Sequence, residues 1–491
     1  MVVDMNHKLS LLLFLTLVTS ILVVGDVFRT PKAESSTSLS TDVGGYISEN
    51  TDWTLDESPY VVVSDVVVEA GIVLTIKPGV DVRFTDATNL VIDGALVAEG
   101  NVTHNVRFTS NSTNPSPNDW GGIRFRDSSN DSLCRIVYGI VQYGTTGIYM
   151  EFSAPRIFRC NVSQCGGEGI FLGGKSFPTI EECCISNNGI GVRIQSDESP
   201  VAIIGNKITN NTGDGILCSW DWAMSTDISN NVISFNGGNG ITCSVSYRIM
   251  ISSNTLTNNS GKGIFLEYGG DCSVLNNTIE GNQYGIFGSV SPTHFNRICG
   301  NAVYDFYNTG GGTPNATYNW WGTANETIIQ MHIYDYYDDY NLGKIFYKPF
   351  LLSPFFIPVD DEIFYIDISS NSTIGNFRFD QSKKQTNFEV SGESGTVGYC
   401  NVTIRQILLN ATEAEWVILI NDTPAITDPI IASNGTHTFI YFTYTLASTN
   451  YIVIQGTSAI PEFASILILP AFMLATLAVV LVWKKKRLKS S

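Results

Sequence analysis

Residues 203–218 read IIGNKITNNTGDGILC, residues 228–243 ISNNVISFNGGNGITC, residues 251–266 ISSNTLTNNSGKGIFL and residues 274–288 VLNNTIEGNQYGIFG, one phrase written four times with small changes. Looser copies, IFRCNVSQCGGEGIFL from Ile157 and IEECCISNNGIGVRI from Ile180, precede them. Each copy is an apolar residue, a small or amide residue three later, a second apolar residue two beyond that, and an Asn/Gly turn that ends in Gly-Ile. The apolar residues that close the phrase, Ile148, Ile170, Val192, Ile216, Ile241, Ile264 and Ile286, recur every 22 to 25 residues. A period in that range marks a stacked-repeat architecture.

The content of the repeat chooses among solenoids. Leucine-rich repeats need a Leu framework and usually a helical arc, whereas these apolar positions are Ile and Val in short runs broken by Asn and Gly, the composition of brief strands joined by tight turns. No stripe with a period of 3.6 residues survives in any copy. Each copy is therefore read as one coil of a right-handed parallel β-helix, with three short strands per coil from Ile136 to Asn301 and coils about 4.8 Å apart. Stacking predicts a column of Asn206, Asn231, Asn254, Asn277 and Asn301 at a bend, bonding amide to amide, with Gly139, Cys160 and Cys183 in the same slot earlier. Ile208, Ile233, Leu256 and Ile279 form an apolar column. Gly147, Gly169, Gly215, Gly240, Gly263 and Gly285 are assigned the positive φ of a tight turn.

Outward from the repeats, residues 1–33 contain an apolar run behind His7 and Lys8 and read as an export signal. Residues 39–130 hold the amino-terminal cap, for which the region around Trp53 is the expected lid, and the first coils. Residues 131–310 are the repeats and residues 311–354 a closing segment, where Glu326, Ile329 and Ile333 on one face and Gly343 at the end predict a short helix lying across the last coil. Residues 355–457 alternate polar and apolar in about seven runs, the pattern of an Ig-like antiparallel β-sandwich serving as a stalk. Residues 463–483 carry no charge and are long enough to cross a bilayer; Lys484, Lys485, Lys486, Arg487 and Lys489 then place that end in the cytoplasm.

The phrases KPGVDVRF from Lys77, LVIDGALVAEG from Leu90 and WGGIRF from Trp120, together with the repeats, resemble the right-handed β-helix superfamily of pectate-lyase-like and NosD-like proteins over roughly residues 55–350. The entrance Pro461, Glu462, Phe463, the apolar span and the basic tail resemble archaeal sorting signals; that resemblance implies removal of the tail and transfer to a lipid. Polygalacturonases of the superfamily carry Asn-Thr-Asp, Asp-Asp, His-Gly and Arg-Ile-Lys motifs in successive coils; this chain lacks the first, third and fourth, and its Asp-Asp pairs lie outside the coils. NosD-like relatives imply copper handling, but the seven methionines are scattered and make no ladder.

Charge fits an external address. The chain carries 46 acidic and 28 basic side chains, a net charge of −18. Such a surface repels nucleic acid and favours cations. Fourteen Asn-X-Ser/Thr sequons add to the export reading. Ten cysteines have no CxxC spacing. Cys160 with Cys183, and Cys218 with Cys243, stack in adjacent coils, and buried thiols are favoured over disulfides because stacked side chains point the same way.

A ligand is sought on the loops that follow Gly-Ile. Stacking aligns Trp220, Asp221, Trp222, Tyr247, Arg248, Glu267 and Tyr268 along one wall, where aromatic and carboxylate groups are what sugar binding uses. Calcium is the cation considered, either in a lyase mechanism on this wall or at Asp335, Asp338 and Asp339, whose reading as a solvated acidic face is favoured for want of a glycine turn. Three functions follow: a membrane-anchored surface protein with a structural, adhesive or carbohydrate-binding role; a polysaccharide lyase or hydrolase on an acidic glycan; and a NosD-like metal carrier. The first is preferred. The expected partners are the membrane, through the carboxy-terminal helix or a lipid, and glycans or other surface proteins, with no nucleic acid.

Overall fold

The computed structural model describes residues 40–196, 200–219, 226–244, 248–267, 272–359, 362–425 and 428–460. They fall into two compact units, residues 40–316 with 332–346, and residues 317–331 with 347–460. The first is a parallel β-solenoid. Its coils repeat three strands, for example Val201–Ile204, Lys207–Thr209 and Ile216–Cys218. Eleven successive first strands, from Thr51–Trp53 to Thr293–His294, form one parallel sheet.

Register is set by the apolar columns. Ile203, Ile228, Ile251 and Val274 pair in order along the first sheet. Along the second strands the predicted stack forms: Ile208, Ile233, Leu256 and Ile279 follow one another, and Ile298 extends it. Ile216, Ile241, Ile264 and Ile286 make the third column. All of these side chains are fully buried, and each contributes about 1.5–3 kcal/mol by leaving water. A shift of one residue would turn a whole column outward, so the pattern permits a single register.

Each coil turns at two left-handed residues. One set is Tyr138, Arg159, Glu182, Gly205, Asn230, Ser253, Asn276 and Phe295; the other is Tyr143, Gln164, Asn187, Asn210, Phe235, Asn258, Gly281 and Gly300. The residue after each points inward. The first bend carries the predicted amide column: Asn206 Nδ2 donates to Asn231 Oδ1 at 3.0 Å, Asn231 to Asn254 at 3.0 Å, and Asn254 to Asn277 at 3.0 Å. Cys183 and Cys160 continue it upstream, with Cys183 N–H donating to Asn206 Oδ1 at 2.9 Å and Cys160 N–H to Cys183 Sγ at 3.4 Å.

Asn301 is the exception. The slot after Asn277 is taken by Asn296, which accepts from Asn277 Nδ2 at 3.0 Å. That coil is short, 19 residues instead of 23 to 25, so Asn301 falls at the second bend. There it joins a second amide column of Asn188, Asn211, Asn236, Asn259 and Asn282. The left-handed residue is also the one before each ladder Asn, not the ladder Asn itself.

The glycines before Gly-Ile are needed for another reason than positive φ. None of Gly147, Gly169, Gly215, Gly240, Gly263 and Gly285 is left-handed. A Cβ at Gly215 would sit 2.6 Å from Ile233 Cγ2 and 2.9 Å from Asn236 Nδ2. Close packing against the next coil excludes a side chain there.

Both ends differ from the sequence expectation. Thr41–Ile47 pairs in parallel with Tyr60–Val68, and Trp53 lies in a strand paired to Val73–Ile76, buried and stacked on Tyr60 at 4.8 Å. The Trp53 region is thus part of the first coil rather than a lid over it. At the other end the helix is six residues, Glu326–Met331, within the second unit. Ile333 is not on it: Ile333–Tyr334 is a strand paired to Phe306 and Tyr307. The open backbone of Tyr304–Tyr307 claims this segment, with Asp305 N–H donating to His332 O at 2.8 Å and Asn308 N–H to Tyr334 O at 2.9 Å.

All ten cysteines are free thiols, nine of them buried, and Cys218 lies opposite Cys243 in register. Desolvation pushes the Cys134 thiol up to about 11 and the Cys165 thiol up to about 12, so neither is a nucleophile.

In the second unit, a four-stranded antiparallel sheet (Asp367–Ser370, Val397–Arg405, His437–Thr445, Ile430–Ser433) and a five-stranded one share an apolar core that includes Phe388, Cys400, Val402, Trp416, Phe442 and Ile452. That is the expected two-sheet arrangement. No described helix is long and apolar enough to cross a membrane. The predicted span and Pro461, Glu462 and Phe463 lie outside the described residues, as do residues 1–39.

Candidate functional site

Of the predicted loop wall, Trp220, Asp221, Trp222, Tyr247 and Tyr268 lie outside the described residues. The two described members, Arg248 and Glu267, are exposed. Arg248 is left-handed at the entrance to Ile249–Ser252, and Glu267 follows Lys262–Leu266. They occupy opposite ends of their loops, and no ion pair or hydrogen bond joins them to each other.

The third strands present a better-defined surface. Alternation turns the residue after each Gly-Ile apolar position outward. Pairing stacks Arg124, Tyr149, Phe171, Arg193, Leu217, Thr242, Phe265, Phe287, Tyr307 and Tyr334 into one outward column. Toward its carboxy-terminal end the column is aromatic. Phe265 meets Phe287 edge-on at 5.7 Å; Phe287 and Tyr307 stack at 4.6 Å and 11°, and Tyr307 and Tyr334 at 4.3 Å and 2°. Tyr284 packs edge-on against Phe287 and Tyr307, and Tyr304 lies 5.3 Å from Tyr334. Lys262 Nζ sits 4.7 Å from the Phe265 ring and 4.8 Å from the Phe287 ring, a cation held over two aromatic faces.

Stacking between Phe287, Tyr307 and Tyr334 and the Lys262 ammonium over Phe265 and Phe287 cover most of the ring faces, so the stack meets solvent largely with ring edges, phenolic hydroxyls and that ammonium. Tyr304 and Tyr307 ionise above the usual phenol value. Burial is the first cause for both, followed by the Asp338 charge for Tyr304 and the neighbouring Tyr334 for Tyr307. They remain neutral hydrogen-bonding groups at physiological pH.

A second cluster lies upstream, where Arg124 covers the Tyr149 ring at 5.1 Å and Tyr149 stacks on Phe171 at 4.8 Å. Between the two clusters the column passes through Arg193, Leu217 and Thr242. Arg193 Nη1 pairs with Glu168 Oε1 at 3.2 Å. Asp214, which the sequence marks as a turn residue, accepts from Thr242 Oγ1 at 2.6 Å and from Asn239 N–H at 2.7 Å. On the second strands, Glu280 Oε1 accepts from Arg297 at 2.7 Å and from Cys299 at 3.1 Å. Each of these three carboxylates is thus bound to a protein neighbour, whereas Glu151, at the end of one third strand, and Glu267, just past another, are exposed.

The candidate calcium cluster is likewise occupied. Asp335 is buried, not solvated, and its two oxygens accept from the backbone N–H groups of Tyr337 at 3.0 Å and Ile345 at 2.8 Å. Asp338 accepts from Asp335 N–H at 3.1 Å, and Asp339 accepts from Asn341. These carboxylates shape their own loop. Among the described residues no group of three or more His, Cys, Asp or Glu side chains is placed to hold a metal ion.

Sequence reading missed the column although its signal was present. Tyr149, Phe171, Phe265 and Phe287 each follow a Gly-Ile residue directly. The isolated Trp and Tyr of the loops, three to five residues beyond the column, are the more conspicuous residues in the sequence.

Family comparison agrees on the fold. A family described as right-handed beta helix region matches residues 121–283 and 224–328, and one described as pectate-lyase like beta helix domain matches residues 45–130. Among curated proteins none matches. Solved structures similar to the chain include the periplasmic alginate epimerase AlgG (14% identity, 63% of this chain and 85% of that one, TM-score 0.35). Others are the Azotobacter vinelandii mannuronan C-5 epimerase AlgE4 A-module (13%, 57% and 80%, 0.28) and a tailspike protein of the E. coli bacteriophage HK620 in complex with a pentasaccharide (9%, 80% and 87%, 0.23).

Proposed function

We propose that this chain, whose residues 121–328 match the right-handed beta helix family and whose residues 45–130 match the pectate-lyase like beta helix family, is an exported, membrane-anchored surface protein that holds a carbohydrate chain on the outward face of its third strands without cleaving it. The observation that carries this reading is the continuous aromatic column of Phe265, Phe287, Tyr307 and Tyr334 with Lys262 set against it. It offers apolar edges for sugar C–H groups and phenols for sugar hydroxyls. One cation faces any carboxylate or sulfate the glycan carries. The spacing repeats from coil to coil, as a polymer of like units requires.

Binding without cleavage is expected because the His-Gly and Arg-Ile-Lys motifs of the superfamily's polygalacturonases are missing. Glu168, Asp214 and Glu280 are engaged by Arg193, by Thr242 and Asn239, and by Arg297 and Cys299. Glu151 and Glu267 are exposed on the same face, and the depolymerisation assay decides whether either works as an acid or base. The address rests on the sequence: an apolar leader, a charge-free span of residues 463–483 and a basic tail.

A glycan-array screen of the purified full chain, followed by a depolymerisation assay on every glycan retained, tests the reading. Retention without chain shortening is expected, with retention lost in the Tyr307→Ala, Tyr334→Ala double variant. Shortening of a retained glycan would replace binding by catalysis. Retention unchanged in the double variant would move the site off this face.

A further inference from the structure

The fourteen sequons are equal in sequence and unequal in structure. At Asn101 the carboxamide Oδ1 accepts three hydrogen bonds, from Thr103 N–H at 3.0 Å, Thr103 Oγ1–H at 2.9 Å and His104 N–H at 3.0 Å. In the other unit, Asn434 repeats the arrangement atom for atom, with Thr436 N–H at 3.1 Å, Thr436 Oγ1–H at 2.9 Å and His437 N–H at 2.9 Å. In both the threonine hydroxyl also touches the following histidine, Thr103 Oγ1 to His104 Nδ1 at 2.8 Å and Thr436 Oγ1 to His437 Nδ1 at 3.0 Å. A hydroxyl has one proton. Given to the asparagine, it leaves the hydroxyl oxygen to accept from a histidine Nδ1–H. Asn130 has the same hydroxyl contact, Ser132 Oγ–H to Oδ1 at 2.7 Å, supported by Leu133 N–H at 3.3 Å.

All three asparagines are exposed, and their Nδ2 atoms have no hydrogen-bond partner among the described residues. Two other sequons are the reverse case. Asn371 Nδ2 donates to Val397 O at 3.1 Å while its Oδ1 takes Tyr399 N–H at 2.9 Å. Asn421 Nδ2 donates to Asn450 Oδ1 at 3.3 Å while its Oδ1 takes Tyr451 N–H at 2.8 Å. A sugar on either nitrogen would have to share it with the hydrogen bond that nitrogen already donates to a neighbouring segment.

We infer that Asn101, Asn130 and Asn434 are sites of N-linked glycan attachment and that Asn371 and Asn421 are not. Donors on Oδ1 draw electron density from the amide and make the Nδ2 protons more acidic. Transfer then joins Nδ2 to C1 of a sugar carried on a polyisoprenyl phosphate or diphosphate. The C1–O bond to phosphate breaks, the lipid phosphate leaves with the electron pair, and the Nδ2 proton passes to a base of the transferase. The folded turn tolerates the product because the nitrogen already faces solvent with no bond to lose.

The inference rests on the export part of the proposal above and is independent of the ligand. Its test is glycopeptide mass spectrometry of the full chain purified from its own cells, with protease digestion of intact cells run beside it to establish that the chain is outside. Sugar is expected at Asn101, Asn130 and Asn434 and absent from Asn371 and Asn421. Thr103→Val should abolish occupancy at Asn101, Thr103→Ser should retain it, and the thermal transition should be unchanged in both. A chain found outside with those three sites bare, or with Asn371 or Asn421 occupied, overturns the assignment. A chain found inside overturns the address and the assignment together.

Discussion

Replacing Asn254 by Ala removes one rung of the first amide column. Its Oδ1 accepts from Asn231 N–H at 2.9 Å and Asn231 Nδ2 at 3.0 Å, and its Nδ2 donates to Ile228 O at 2.7 Å and Asn277 Oδ1 at 3.0 Å. The side chain is buried in the coil interior, so water does not replace it. Two backbone groups, Asn231 N–H and Ile228 C=O, lose these partners, and each buried orphan costs about 1–3 kcal/mol. Two Asn side chains lose a bond as well, and a small cavity adds to the total. The expected loss is about 3–6 kcal/mol of unfolding free energy. Equilibrium urea denaturation followed by far-ultraviolet circular dichroism measures it, with Thr255→Ala, the outward neighbour, as the control expected within about 0.5 kcal/mol of the parent. A loss at Asn254 below about 1 kcal/mol would refute the reasoning, since it would mean that the column's bonds are replaced at no cost.

Three further outcomes are expected. Asp305 ends the second amide column, accepting from Asn301 Nδ2 at 2.8 Å and N–H at 3.2 Å, and burial raises its carboxyl to about 6 against the usual 3.8. The fold therefore disfavours the ionised form: stability is fully present below about pH 4 and lost as pH rises through about 6, by about 3 kcal/mol at most. Asp305→Asn should flatten that part of the pH–stability curve relative to the parent, and parallel curves for the two would count against it. Ile233→Asp places a charge between Ile208 and Leu256 and should raise hydrogen exchange in the second strands of both neighbouring coils, because an unpaired buried charge costs several kcal/mol; faster exchange confined to Val232–Ser234 would show that coils do not share their stability. If residues 460–491 are a sorting signal, mass spectrometry of the mature chain should find no Lys484–Lys489 tail on a lipid-partitioning protein, whereas an intact tail would leave a plain anchor.

The solenoid was legible because its information is one-dimensional: a period and three apolar columns suffice to place Ile203, Ile208 and Ile216 in the interior. The second amide column was also written in the sequence, at Asn188, Asn211, Asn236, Asn259 and Asn282, but it reads as an ordinary polar turn until the coil is closed and those residues are seen to point inward. Glycine shows the opposite limit. Gly215 is needed because of Ile233 and Asn236, which lie in the next coil, and a local reading assigned it a backbone conformation instead. Asn301 and Ile333 were misplaced where the period shortens, since the register is then set by unmet backbone hydrogen bonds of the preceding coil and not by the phrase. The aromatic column is periodic too. Its members are half-buried and interrupted by Arg193, Leu217 and Thr242, and only the strand pairing shows that Phe265, Phe287, Tyr307 and Tyr334 touch.

The most direct test of carbohydrate binding is a titration of the full chain with oligosaccharides of increasing length, cut from whichever glycan the array retains. Phe265 to Tyr334 spans three coil steps, about 14 Å. Affinity is expected to rise with length until the oligosaccharide covers that span and then to level off, and the rise should disappear in the Tyr307→Ala, Tyr334→Ala variant. Affinity that is independent of length, or a length dependence that survives loss of both tyrosines, would contradict the account.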